Sequence, residues 1–225
     1  LPYPVMLSKD VAEGVARFIR SGGTAVAEAR LAWNDERGFS SDEVPGFGLA
    51  EVFGAREKII RPVEKATLVI DSPTDLPGMK AGESVPAEAF EETLEPLGDA
   101  RVLARFADGE PAMVAKSLGK GKAILVGSFL ALAYQRGMDP ATQRLLLAFA
   151  HEAGVSPQVE VSGPNTREVE VRRLTSDGVQ FLFVFNHAAA PSEATISLEL
   201  PWPAKSARDL ETDRQAPIRN AGGKT

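Results

Sequence analysis

Trp33-Asn34-Asp35-Glu36 sets an indole beside an amide and two carboxyls. Such a group stacks on a sugar ring and hydrogen-bonds its hydroxyls, or is buried at a contact between subunits, or packs over its own loop. Trp33, Asn34 and Glu36 are therefore candidate binding residues. Asp71 closes an apolar β-like run, at a strand end where open α/β sheets bind ligands. Ser128, in Gly127-Ser128-Phe129, stands between an apolar strand and a helical segment. A nucleophile elbow there needs glycine two residues before and two residues after the serine. Val126 and Leu130 occupy those places, so Ser128 reads as a helix cap or a strand-end pocket residue.

The remaining candidates give no catalytic set. Gly119-Lys120-Gly121-Lys122 is followed by Ala123, which lacks the hydroxyl that a phosphate loop places on magnesium, so a hairpin turn is expected. Gly222-Gly223-Lys224-Thr225 has Ile218 where that motif needs its first glycine. The two histidines, His151 and His187, fall in different expected domains, and there is no cysteine, so neither a triad nor a metal site assembles. Asp35-Glu36, Asp42-Glu43 and Glu91-Glu92 read as solvated charge. Glycosidic cleavage would need two carboxyls about 5–10 Å apart, which no spacing here identifies. No cofactor is implied.

The elements that would position these residues follow from periodicity. Ser8 caps a helix whose apolar stripe is Val11, Val15, Phe18 and Ile19, and Gly22-Gly23 ends it. Residues 24–27 form a short buried strand. Helix, Gly-Gly, strand is the αβ half of a βαβ unit, and the expected first strand would precede Leu1, so the chain is expected to be cut from a longer one. Residues 30–47 read as a long loop, 48–53 as one helical turn, 58–63 and 65–70 as strands, and 71 to about 86 as loop. Strands follow over 101–106, 112–118 and 122–127, with a helix capped by Asp139-Pro140 and carrying Leu145, Leu146 and Phe149 inward. After Ser156-Pro157 only short β-like runs remain, over 158–161, 168–174, 179–185 and 194–200, with Ser176-Asp177-Gly178 as a tight turn. The expected organisation is an α/β domain over 1–156, a small antiparallel β-sandwich over 157–213, and a polar tail over 214–225.

The chain has 225 residues, 44% of them hydrophobic and 25% charged, which suits a core-forming globular protein. Its net charge is −6 and its basic residues are scattered, so no nucleic-acid partner is expected. No apolar run reaches the ~20 residues that span a bilayer, so no membrane partner is expected. The compartment stays open.

Several segments together carry a resemblance: Val5 to Ser8, "FIRSGGTAVAEAR" from Phe18, "WNDERG" from Trp33, "VPGFGLAEVFG" from Val44, and "GEPAMVAKSLGKGKAILVGSFLALAY" from Gly109 to Tyr134. These resemble the trimerisation domain of family-42 β-galactosidases, and Val179 to Pro191 resembles the small β domain that follows it. The resemblance implies a flavodoxin-like, three-layer α/β fold similar to class I glutamine amidotransferases. It implies an accessory, homo-oligomeric (trimeric) role beside the catalytic barrel of a parent glycoside hydrolase. The family's catalytic carboxylates lie on that barrel, which is absent here, so no catalytic residue carries over. The amidotransferase cysteine is also absent. The alternative is a carbohydrate-binding module that takes a galactoside at the strand ends near Asp71 and Ser128.

Overall fold

A computed structural model describes every residue except 158, 165, 201 and 220–225, so the Gly222–Thr225 motif lies outside the described residues. The chain divides into two units, Leu1–Val155 and Ser156–Thr225. In the first, α1 spans Lys9–Arg20, and Ser8 Oγ accepts the Val11 N–H at 3.3 Å. The helix buries Ala12, Ala16 and Ile19, so small side chains set its close approach to the sheet. Of the expected stripe, Ile19 is buried and Val15 packs partly against the core, while Val11 and Phe18 are 48% and 55% exposed. Gly22, at φ +119°, takes a conformation that side-chain-bearing residues rarely adopt and turns the chain into β1, Thr24–Ala27.

After α2 (Leu49–Phe53) come β2 (Ala55–Ile70), β3 (Ser84–Pro96), β4 (Arg101–Arg105), β5 (Pro111–Leu118) and β6 (Gly121–Val126), then α3 (Leu130–Gly137) and α4 (Pro140–Glu152). The strands form one sheet in the order β1-β6-β5-β4-β2-β3. Among the described strands of this sheet only β1 and β6 run parallel; the other pairs are antiparallel. The sheet is thus mixed, where the flavodoxin-like expectation carries parallel strands throughout. The two strands expected over 58–70 are one, bent by irregularities between Glu57 and Ile59 and between Val63 and Lys65. β3 was expected partly as loop and elsewhere unassigned. Its prolines and glutamates disfavour strand, but it is an edge strand, where proline is tolerated.

Alternation along the central strands separates two cores. Ile124 and Val126 pack with Met113, Leu68, Leu130, Leu145 and Phe149 on one face. Ala123 and Leu125 pack with Val114, Ile19, Val52 and Phe53 on the other. The helices α1 and α2 therefore cover one face and α3 and α4 the other. Each fully buried Leu or Phe here contributes about 1.5–3 kcal/mol.

In the second unit β7 (Val159–Ser162) pairs with β10 (Thr195–Leu198), β8 (Val169–Ser176) with β9 (Val179–Asn186), and β11 (Ala207–Asp209) with β12 (Arg214–Ala216). Among the described residues these are three separate two-stranded antiparallel sheets. The β8–β9 turn places Asp177 and Gly178 at φ +28° and +80°. Arg214–Ala216, expected as polar tail, is a strand because Ala207–Asp209 pairs with it.

Candidate functional site

The chain leaves β1 through Glu28-Ala29-Arg30-Leu31-Ala32, and this segment is a packed loop. Ala29, Leu31 and Ala32 are fully buried. Arg30 and Ala32 hold φ of +62° and +51°, a left-handed conformation that costs about 1–2 kcal/mol per non-glycine residue. Hydrogen bonds fix it. Arg30 N–H donates to Glu92 Oε2 at 2.6 Å, Ala32 N–H to Pro4 O at 2.8 Å and Asn34 N–H to Val5 O at 2.9 Å, while Leu7 N–H donates to Asn34 O at 3.1 Å. Gly46 packs against the same loop so closely that a Cβ there would lie 2.5 Å from Ala32 O.

Below the loop lies a buried ionisable group. The Arg30 guanidinium carbon sits 3.7 Å from the centre of the Trp33 ring, a cation–π contact worth about 0.5–2 kcal/mol. Its Nε is 3.5 Å from Glu57 Oε2, and neither atom has a hydrogen-bond partner in the structure. Glu92 is fully buried and its Oε1 is also unpartnered. Desolvation pushes the Glu92 carboxyl up to about 8; the Arg30 N–H opposes that shift and the Glu57 charge adds to it. Burial raises Glu57 as well, against the pull of Arg30. Glu28 acts differently: its Oε1 accepts the Ala131 N–H at 2.7 Å in the first turn of α3, and its Oε2 accepts the Tyr3 N–H at 3.3 Å. A carboxylate from β1's end thereby caps a helix about a hundred residues away, where the helix dipole favours it.

The residues singled out in the sequence fall in three places. Trp33, Asn34 and Glu36 share one loop. Trp33 is 37% exposed above Arg30, and Glu36 is exposed. Asn34 Nδ2 donates to Gly38 O at 3.0 Å and closes the turn. Ser128 is fully buried and donates to Glu88 O at 3.1 Å; Glu28, not Ser128, serves the start of α3. Asp71 accepts from Arg105 Nε at 2.9 Å, just past β2. Glu92 pairs with Ile60, so Asp71 stands roughly 30 Å further along the strand from the acid group.

Sequence reading missed Glu92, Glu57, Arg30 and Glu28. The pair Glu91-Glu92 reads as solvated charge by composition, yet Glu92 is buried together with Thr93 and Leu94 that follow it, in a stretch of β3 that does not alternate.

Around the loop the surface is apolar. Tyr3, Met6 and Phe39 are 67%, 55% and 69% exposed. Met6 bridges to Asn34, and Asn34 to Ser40, which ties Met6 to the Trp33 loop, while the Tyr3 ring packs edge-on against Phe129 at 5.1 Å. A rigid aromatic surface of this kind suits burial against another protein surface. Among the described residues no three His, Asp or Glu are grouped to hold a metal ion.

A family model described as the β-galactosidase trimerisation domain matches residues 1–156. No curated protein matches the sequence. Among solved structures, a β-galactosidase from Bacillus circulans sp. alkalophilus is 24% identical, with a TM-score of 0.74, over 96% of this chain and 30% of its own. One from Rahnella sp. R3 is 23% identical, with a TM-score of 0.69, over 84% of this chain and 27% of its own. A GH42 β-galactosidase from G. stearothermophilus is 16% identical, with a TM-score of 0.72, over 96% of this chain and 28% of its own. The chain thus spans less than a third of each structure, and at these identities the likeness is one of fold.

Proposed function

The chain belongs, through residues 1–156, to the β-galactosidase trimerisation-domain family, and from that premise we propose that it is the non-catalytic assembly region of a β-galactosidase-like glycoside hydrolase. The observation that carries this reading is the exposed apolar side chains on a hydrogen-bonded loop: Trp33 over Arg30, with Phe39 exposed on the same loop and Met6 exposed on the segment bridged to it. Exposed aromatics that are already ordered lose little conformational entropy on binding, which makes them effective anchors. Trp33, Asn34 and Glu36 then belong to a contact with a neighbouring subunit. The catalytic barrel of the parent enzyme is the second partner in this reading. Residues 157–213 form an accessory β region with no catalytic role. The parallel β1–β6 pair, with helices on both faces of the sheet, supports a flavodoxin-like, amidotransferase-like ancestry of the first unit, while the antiparallel strands give it no support.

At the positions named for the sugar-binding alternative the polar groups already have partners. Ser128 is buried with its hydroxyl donating to Glu88, and Asp71 is engaged by Arg105.

Light scattering across a concentration series tests the assembly reading. The expected result is a discrete trimer that Trp33→Ala weakens by tenfold or more, since interface anchors cost about 1–4 kcal/mol on truncation. A strict monomer at every concentration, or a trimer indifferent to Trp33→Ala, overturns it.

A further inference from the structure

A ring of identical chains closes through a heterologous contact, in which one patch of each chain meets a different patch of the next. The Trp33 loop is one such patch, and a trimer built through it needs a second. The end of the loop is both acidic and aromatic. Residues 33–43 carry four carboxylates against one guanidinium. Asp35 Oδ1 accepts the N–H groups of Arg37 at 2.9 Å and Phe39 at 2.8 Å, so this acid is used in the turn. The Glu36 carboxylate is exposed, with no hydrogen bond or ion pair among the described residues. Phe39 is 69% exposed on the same turn. The counterpart must therefore offer an apolar recess beside an unpaired cation.

A groove of about 400 Å³ between α1 and the segment from Phe47 to Val52 has that make-up. Ala12, Ala16 and Val52 give it an apolar lining. Phe47 lines it at φ +54°, with Gly48 next at +72°, a backbone that a bulky side chain rarely adopts. Arg17 and Arg20 reach it from the last turn of α1. Glu13 lies 4.0 Å from Lys9 and 3.7 Å from Arg17, so its charge is answered within the helix. The Arg20 guanidinium is exposed, with no hydrogen bond or ion pair among the described residues. The groove also adjoins the loop. Gly46, next to Phe47, packs so closely that a Cβ there would lie 2.2 Å from Ser41 Oγ and 2.5 Å from Ala32 O. Distinct patches side by side suit a closed contact near its symmetry axis.

Resting on the assembly proposed above, we infer that this groove receives the Trp33 loop of a second copy of the chain: Phe39 of one copy enters the groove against Phe47 and the apolar lining, and Glu36 of that copy pairs with Arg20. Burial of the ring supplies affinity, and the charge pair fixes which way the loop seats. Each copy uses its loop on one neighbour and its groove on the other, so three contacts close the ring.

The test is a charge swap in the full chain, read by light scattering across a concentration series. Arg20→Glu and Glu36→Arg, each alone, set like charges against each other and are expected to weaken the trimer about tenfold or more. The two together are expected to restore it to within about threefold of the parent. Arg20→Glu with Glu64→Arg recovers the net charge without the pair and is expected to stay weak. Arg20, Glu36 and Glu64 are exposed, so the variants fold as the parent does. A parent trimer that either single variant leaves intact, or that the swap fails to restore, overturns the pairing and leaves the assembly reading standing. Recovery with Glu64→Arg equal to that of the swap assigns the effect to net charge and also overturns the pairing. A parent that stays monomeric at every concentration overturns the assembly reading and the pairing with it.

Discussion

Glu92→Gln separates the cost of a buried charge from the value of a buried hydrogen bond. The folded carboxyl titrates at about 8 against an ordinary 4.5, so folding holds a proton that the unfolded chain releases. For a raised pKa the sign is fixed: the contribution to stability is complete below about 4.5, declines as pH rises, and is gone once pH passes about 8. Each unit in that window is worth about 1.4 kcal/mol, so the full span is about 5 kcal/mol and the stretch from pH 6 to 8 about 2–3 kcal/mol. A glutamine keeps an oxygen to accept the Arg30 N–H and never ionises. It leaves an amide group where Oε1 has no partner, a cost of about 1–3 kcal/mol that does not vary with pH. The variant should therefore be no more stable than the parent at pH 6 and gain on it by about 2–3 kcal/mol at pH 8. The assay is urea unfolding at pH 6, 7, 8 and 9 in a Trp202→Phe background, so that Trp33 fluorescence reports the first unit. The shift of the Leu1 amino group is common to both proteins and cancels in the difference. Stability curves that stay parallel from pH 6 to 9 would refute the claim that Glu92 is buried as the neutral acid.

Gly46→Ala would drive a Cβ to within 2.5 Å of Ala32 O and destabilise the first unit by about 1–3 kcal/mol, read as a lowered urea midpoint at unchanged slope. Glu28→Ala strands the Ala131 and Tyr3 N–H groups and should cost about 1–3 kcal/mol, with faster amide exchange confined first to the start of α3. Asp71→Asn loses a partly exposed ion pair with Arg105 and should change stability by less than about 1 kcal/mol and the oligomer not at all. Calorimetry with galactose should show no heat in either Asp71→Asn or the parent; binding in the parent that the variant loses would restore the sugar-binding reading.

The caps and turns were legible because they are local. Ser8, Asp139-Pro140 and the Gly119-Lys120 turn each act through bonds within a few residues, and all stand where the sequence puts them. The apolar strands of the centre were legible for the same reason. β3 was not, because what makes it a strand is Ala55–Ile70 beside it rather than its own residues. The buried stripe of α1 was misread because amplitude of hydrophobicity favours Val11 and Phe18, while packing against a sheet at close range selects alanine. Of the candidate site, the Trp33 loop was visible as a composition. The acids beneath it were not, since each is supplied by a different element and none is near another in sequence.

That buried group gives the exposed surface its stiffness. The left-handed residues Arg30 and Ala32 store strain of a few kcal/mol that the loop cannot hold by itself. The Arg30 N–H is held by Glu92 and its guanidinium is stacked on Trp33 near Glu57, so one residue ties the strained backbone, the aromatic surface and the acid group together. A neutral Glu92 accepts the Arg30 N–H at lower desolvation cost than a carboxylate, and it adds no repulsion to Glu57. An acid with a raised pKa usually suggests catalysis. Here its bonded partner is a backbone N–H of the loop. The physical role that remains is positional: the acid stays protonated so that a strained loop can present Trp33 in one fixed orientation.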